Sequence, residues 1–139
     1  KFCQARLSPP LIGQIAAEAS LEEPESYTRD TYDEYVERRK CLIDGLNRIP
    51  GCYSPIPMGA FYTVVSLPVD DADRFCEWCL SDFEYEGQTV FMAPASGFYT
   101  TKGVGRNEVR MAYVLNKEDL GKALKVLGEA LKAYPGRTL

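Results

Sequence analysis

Apolar residues recur along this chain with two periods, one close to 3.6 and one close to 2, and the changes between them mark seven elements. Leu11, Ile12, Ile15, Ala16 and Ala19 fall at helical spacing. They predict a short amphipathic helix to about Leu21, with Ser8 as N-cap and Pro9 in its first turn. After a polar break at Glu22–Ser26, Tyr32, Tyr35, Val36, Leu42, Ile43, Leu46 and Ile49 stripe a longer helix from about Thr28 to Arg48. Pro50-Gly51 ends it. The run GAFYTVVSLP between Gly59 and Pro68 is β-branched and aromatic, and reads as a strand. Ala72, Phe75, Cys76, Cys79, Leu80 and Phe83 then give a clean helical stripe, with Asp70 placed to cap it. Two further strands are predicted at about Thr89–Ala93 and Asn107–Val114. A last helix follows, capped by Asn116, with Leu120, Ala123, Leu124, Leu127, Leu131 and Tyr134 on one side.

The predicted order is α-α-β-α-β-β-α. So few strands cannot be covered evenly on both faces. The expected fold is therefore α/β of the α+β type, a small, mostly antiparallel or mixed sheet of three to four strands with helices packed on one side.

Composition narrows the function more than the fold. At 139 residues the chain is about one domain long. The formal charge is −4 without long runs of one sign, which argues against a nucleic-acid or anionic-membrane partner. No apolar stretch approaches the roughly 18 residues that span a bilayer. The chain opens at Lys1 in structured-looking sequence and reads as a piece of a longer protein. Five cysteines at unpatterned spacings suggest reduced thiols and a cytoplasmic setting. Cys76 and Cys79 share the core-facing stripe of their helix, which favours packing over metal or redox chemistry. The absence of histidine removes the usual general base and metal ligand, so no catalytic residue and no metal site are assigned.

One residue stands apart. Arg110 lies in an apolar strand, with Val109, Met111 and Tyr113 pointing one way and Glu108, Arg110 and Ala112 the other. A guanidinium keeps its charge and its five donors, so it needs a partner. Either an internal carboxylate such as Glu108 or one from a helix supplies it, or a ligand does. Spacing alone leaves both open. The glycines of the preceding loop, Gly97, Gly103 and Gly105, follow neither phosphate-loop pattern, and a strand comes after them.

The ordered series SPP with Gln14, YVERRKCLIDGL, PMGAFYTVVSLP and VFMAPASGFYTTKGVGRNEVRMAYV resembles the C-terminal part of fold-type I pyridoxal-phosphate aminotransferases. The similarity is to the class I and II group that includes aspartate aminotransferases. It implies a connecting segment and helix over residues 1–27 and the small C-terminal domain over 28–139. It also implies a cytoplasmic homodimer that moves an amino group between an amino acid, with aspartate the first candidate, and a 2-oxo acid. The family's arginine for the substrate α-carboxylate maps onto Arg110. Phe98 and Ser96 match loop positions at the substrate entrance, on a mobile lid. Arg6 lies near a region where some relatives bind a distal carboxylate, but its offset differs and it is not assigned. The resemblance places the cofactor, pyridoxal 5'-phosphate, and its lysine upstream of this chain, so no cofactor-binding residue is expected here and the piece alone is expected to be inactive. Two alternatives remain: a ligand-sensing aminotransferase-like domain of a transcription regulator, and a non-catalytic α+β interaction domain.

Overall fold

The computed structural model describes residues 8–139. Its elements are α1 (Leu11–Ser20), α2 (Glu25–Leu46), β1 (Tyr62–Ser66), α3 (Ala72–Ser81), β2 (Ala93–Pro94), a single 3-10 turn at Ser96–Phe98, β3 (Glu108–Ala112) and α4 (Lys117–Ala133). Helices and strands follow the predicted order. The chain divides into one compact unit ending at Asp33 and a second running from Glu34 to Leu139. No helix among the described residues is long and apolar enough to cross a membrane.

In the first unit both helices start elsewhere than expected, and proline explains each case. Pro10, not Ser8, stands at the N-cap of α1 and offers no side-chain cap. The ring of Pro10 disfavours helical backbone at Pro9, so the helix cannot include Pro9, and Pro10 itself is extended with ψ 141°. Gln14 closes the first turn instead, donating its backbone N–H to the Pro10 carbonyl at 3.1 Å and its side-chain amide to the Pro9 carbonyl at 2.9 Å. Helix α2 begins at Glu25, directly after Pro24, whose carbonyl accepts from the Tyr27 N–H at 2.9 Å. A proline at a helix start loses no hydrogen bond, because the first N–H groups are unpaired in any helix.

The second unit is a three-stranded antiparallel sheet in the order β1-β3-β2, an α+β arrangement. Alternation along β3 sends Val109 and Met111 inward and leaves Arg110 and Ala112 exposed, as expected for a half-buried strand. The inner face, with Val65, meets Leu42 and Leu46 of α2, Phe75 and Cys79 of α3, and Leu120, Leu127 and Leu131 of α4 in one core. Helices α2 and α4 approach closely at Gly45, where a Cβ would run into the Leu124 side chain. Buried Ser54 and Thr63 share a hydroxyl–hydroxyl hydrogen bond of 3.0 Å.

Three local expectations are corrected. Asp71 rather than Asp70 caps α3, its carboxylate accepting from the N–H groups of Asp73 and Arg74 at 3.0 and 3.2 Å. Asp70 accepts instead from the Tyr134 hydroxyl at 3.2 Å. Leu80 continues the helical stripe yet is 56% exposed, because it falls on its edge where no neighbour covers it. The strand expected at Thr89–Ala93 pairs only at Ala93 and Pro94. Ahead of it the Thr89 hydroxyl is drawn to the Cys79 carbonyl, and a cavity of about 430 Å³ lies among Phe91, Met111, Ala112, Leu124 and their neighbours. Pro94, with no N–H to donate, suits an edge strand.

Burial of the thiols has a measurable consequence. Desolvation pushes Cys76 and Cys52 up to about 11 and Cys79 up to about 12, from 9.0, and Tyr134 up to about 12 from 10.0. A group that binds its proton more tightly when folded stabilises the fold below its unfolded value, and that stabilisation is lost as pH rises through the folded one. The urea midpoint is therefore expected to stay level up to pH about 9 and to fall between pH 9 and about 12, with Cys76 and Cys79 reacting slowly with thiol reagents below that range.

Candidate functional site: an open sheet face around Arg110

Arg110 sits where the sheet is best fixed. Its backbone pairs with Val64 of β1 on one side and with Ala93 of β2 on the other. A side chain on such a position is held more precisely than one on a loop. Helices α3 and α4 and the Leu42–Leu46 part of α2 pack on the inner face, and the exposed guanidinium emerges on the other. Tyr62 and Val64 of β1 share that face and are exposed.

Two aromatic rings border the guanidinium. Its central carbon lies 4.7 Å from the ring centre of Phe98 and 5.2 Å from that of Tyr62, both within cation–π range. Among the described residues Arg110 forms no ion pair. Glu108, its same-face neighbour, accepts a hydrogen bond from the Tyr99 hydroxyl at 2.6 Å. That bond holds the Tyr99 hydroxyl protonated above its ordinary value. Arg110 thus presents charge and donors in an aromatic setting with no carboxylate of the described chain on it.

The loop from Ser96 to Asn107 carries the other expected residues. Phe98 comes to Arg110; Ser96 does not show its hydroxyl there, but donates to the Asp73 carboxylate at 2.7 Å. The Tyr99 ring lies close to Gly105, whose φ is 73° and which has no Cβ; a Cβ at that position would collide with the ring. Tyr62 went unassigned in the sequence. Its period-2 place beside Val64 was legible, but its proximity to Arg110 depends on the β1–β3 register. Arg6, Cys3 and Lys1 lie outside the described residues.

Pyridoxal phosphate attaches through a neutral lysine amine, and the described lysines do not fit that need. Lys117, Lys122, Lys125 and Lys132 pair with Glu37, Glu118, Glu86 and Glu129 at 3.8, 2.8, 3.2 and 2.8 Å. Carboxylate partners raise Lys122 and Lys125 above the ordinary lysine value, which keeps them charged. All four belong to α4, whose Leu120, Leu127 and Leu131 pack into the core on the inner face. Lys40 and Lys102 are exposed, on α2 and on the glycine-bearing loop.

No family model matches the chain. An aspartate aminotransferase of Pyrococcus horikoshii is 31% identical over 123 residues, which cover 86% of this chain and 29% of the relative. An aspartate aminotransferase of Rhizobium meliloti is 26% identical over 141 residues, covering 93% of this chain and 32% of the relative. A solved α-aminoadipate aminotransferase of Thermus thermophilus, complexed with N-(5'-phosphopyridoxyl)-L-leucine, shares the fold with a TM-score of 0.76 at 24% identity. That match covers 93% of this chain and 33% of its own. The chain therefore spans about a third of the length of the relatives it matches. Sequence and fold agree, and the chain belongs to the fold-type I aminotransferases, as a stretch corresponding to about a third of such a protein.

Proposed function

We propose that this chain supplies the substrate-carboxylate site of a pyridoxal-phosphate-dependent aminotransferase, with residues 28–139 as its small C-terminal domain and 1–27 as the segment joining it to the large one. Arg110 takes the α-carboxylate of the amino acid and of the 2-oxo acid. The observation that carries this reading is the Arg110 guanidinium on an uncovered sheet face, between Phe98 and Tyr62 and without an ion pair among the described residues. A planar guanidinium makes two parallel, charge-assisted bonds to a carboxylate, which fixes orientation as well as affinity.

In this reading the large domain, outside this chain, holds pyridoxal phosphate and its lysine. The chain's own residues bind and orient. Phe98 excludes water beside the carboxylate, and the Ser96–Asn107 loop forms the rim of a lid. A carboxylate bridging to Arg110 favours the closed state because only there does it gain those bonds. Exposed Phe61, Val64, Met58 and Phe98 fit a face that packs on the large domain. The aspartate aminotransferases among the relatives support aspartate as the first amino acid to try; a cytoplasmic homodimer completes the proposal.

The test is an amino-transfer assay. The full-length protein, supplied with pyridoxal phosphate, is expected to transfer the amino group of L-aspartate to a 2-oxo acid. The 139-residue chain alone is expected to take up no stoichiometric cofactor and to transfer nothing. Absence of transfer from every protein amino acid by the full-length protein, or cofactor uptake by the chain alone, contradicts the reading.

A further inference from the structure

We propose that Tyr62 is a positioning residue for Arg110, holding the guanidinium ready for a carboxylate through its ring rather than its hydroxyl. The assignment rests on the carboxylate reading above and adds to it a residue that neither motif nor spacing singles out.

The geometry starts from register. Val64 pairs with Arg110 and Tyr62 with Ala112, so Tyr62 is the diagonal neighbour of Arg110 on the uncovered face. Diagonal pairs in a sheet lie within reach of aromatic and long side chains. The guanidinium carbon is 5.2 Å from the Tyr62 ring centre, and the Tyr62 hydroxyl bonds to no described residue. The ring is the part in use.

The ring is itself braced. Phe61 meets Tyr62 edge-on, with ring centres 5.7 Å apart and planes at 89°. Just before them Ala60 adopts φ 60°, a left-handed conformation that L-residues hold only when surroundings impose it. Buried Tyr113 imposes it, donating its hydroxyl to the Ala60 carbonyl at 2.8 Å and its backbone N–H to the Phe61 carbonyl at 2.9 Å. Core, turn and ring thus form one support ending at the guanidinium.

The support matters because arginine has much rotamer freedom to lose on binding. No carboxylate of the described chain holds Arg110, so its readiness comes from its aromatic neighbours. Phe98 is one, but it belongs to a loop; Tyr62 is on the sheet. Fixing a side chain in its bound conformation before the ligand arrives improves affinity. An interaction of this kind is worth about three- to tenfold in binding.

The test uses the full-length protein and the amino acid it transaminates fastest. Tyr62→Leu is expected to raise KM for both amino acid and 2-oxo acid by about three- to tenfold, with kcat within about twofold. Tyr62→Phe keeps the ring and is expected to restore the wild-type KM. In an Arg110→Ala background Tyr62→Leu is expected to add nothing, because residues that act through one contact are not additive. An unchanged KM in Tyr62→Leu, an equal rise in Tyr62→Phe, or a full rise on top of Arg110→Ala each overturns the assignment. If Arg110→Ala itself leaves KM unchanged, the carboxylate reading fails and Tyr62 falls with it. If Arg110→Ala raises KM and Tyr62→Leu does not, only the Tyr62 assignment fails.

Discussion

Arg110→Lys in the full-length protein is expected to lower kcat/KM by about ten- to a hundredfold, raising KM and leaving cofactor uptake unchanged. The size follows from the interaction lost. Hydrogen bonds to charged groups contribute about 1.5–3 kcal/mol, and 1.4 kcal/mol is a factor of ten. Lysine keeps the charge but offers a point donor on a flexible stem where arginine offers a planar fork. It also fits the Phe98 and Tyr62 rings less well than the guanidinium that now lies 4.7 and 5.2 Å from them. Cofactor uptake serves as the internal control, because the described residues include no lysine suited to it. Steady-state kinetics with a cofactor titration separates the two. An unchanged kcat/KM removes Arg110 from the site.

The largest stability effect is expected at Phe75. Its side chain is fully buried, edge-on to Tyr134 with ring centres 5.0 Å apart and stacked near Trp78 at 6.3 Å. Truncation to alanine removes the ring and leaves a cavity in the core beside Trp78 and Tyr134, a loss of about 3–5 kcal/mol. Folded domains have about 5–15 kcal/mol in all, so this is a large share. Leu80→Ala is the comparison, five residues along on the same predicted stripe. Leu80 is exposed, and its loss is expected within about 0.5 kcal/mol. Urea denaturation of the two variants side by side measures the contrast. Equal losses would mean that the helical stripe, rather than the burial pattern, describes α3.

That contrast marks how far the sequence could be read. The period of the apolar residues gave the type and order of the helices and strands, because a helix or strand with one buried face must repeat its apolar positions. It could not say that Leu80 falls beyond the covered arc, since coverage depends on what packs nearby. Asp70 and Asp71 both suit a cap by type, and the difference lies in a backbone turn of one residue. The strand at about Thr89–Ala93 was legible as a short apolar run, but only Ala93 and Pro94 pair with β3, and pairing is a property of two segments rather than one.

At the site the same limit applies. Arg110 was legible as an anomaly, a permanent charge in an apolar strand, and alternation gave its direction. Resemblance drew Phe98 and Ser96 to it together. The structure brings the Phe98 ring to the guanidinium and turns the Ser96 hydroxyl to Asp73. Tyr62 needed the register between β1 and β3, which joins residues 48 positions apart in the chain, from 62 to 110.

The most direct measurement is a crystal structure of the full-length protein with its 2-oxo acid substrate bound. Both oxygens of the ligand's α-carboxylate are expected at about 2.7–2.9 Å from guanidinium nitrogens of Arg110, with the Phe98 and Tyr62 rings still beside it. A ligand carboxylate held elsewhere, with Arg110 paired to a carboxylate of the protein, would contradict it.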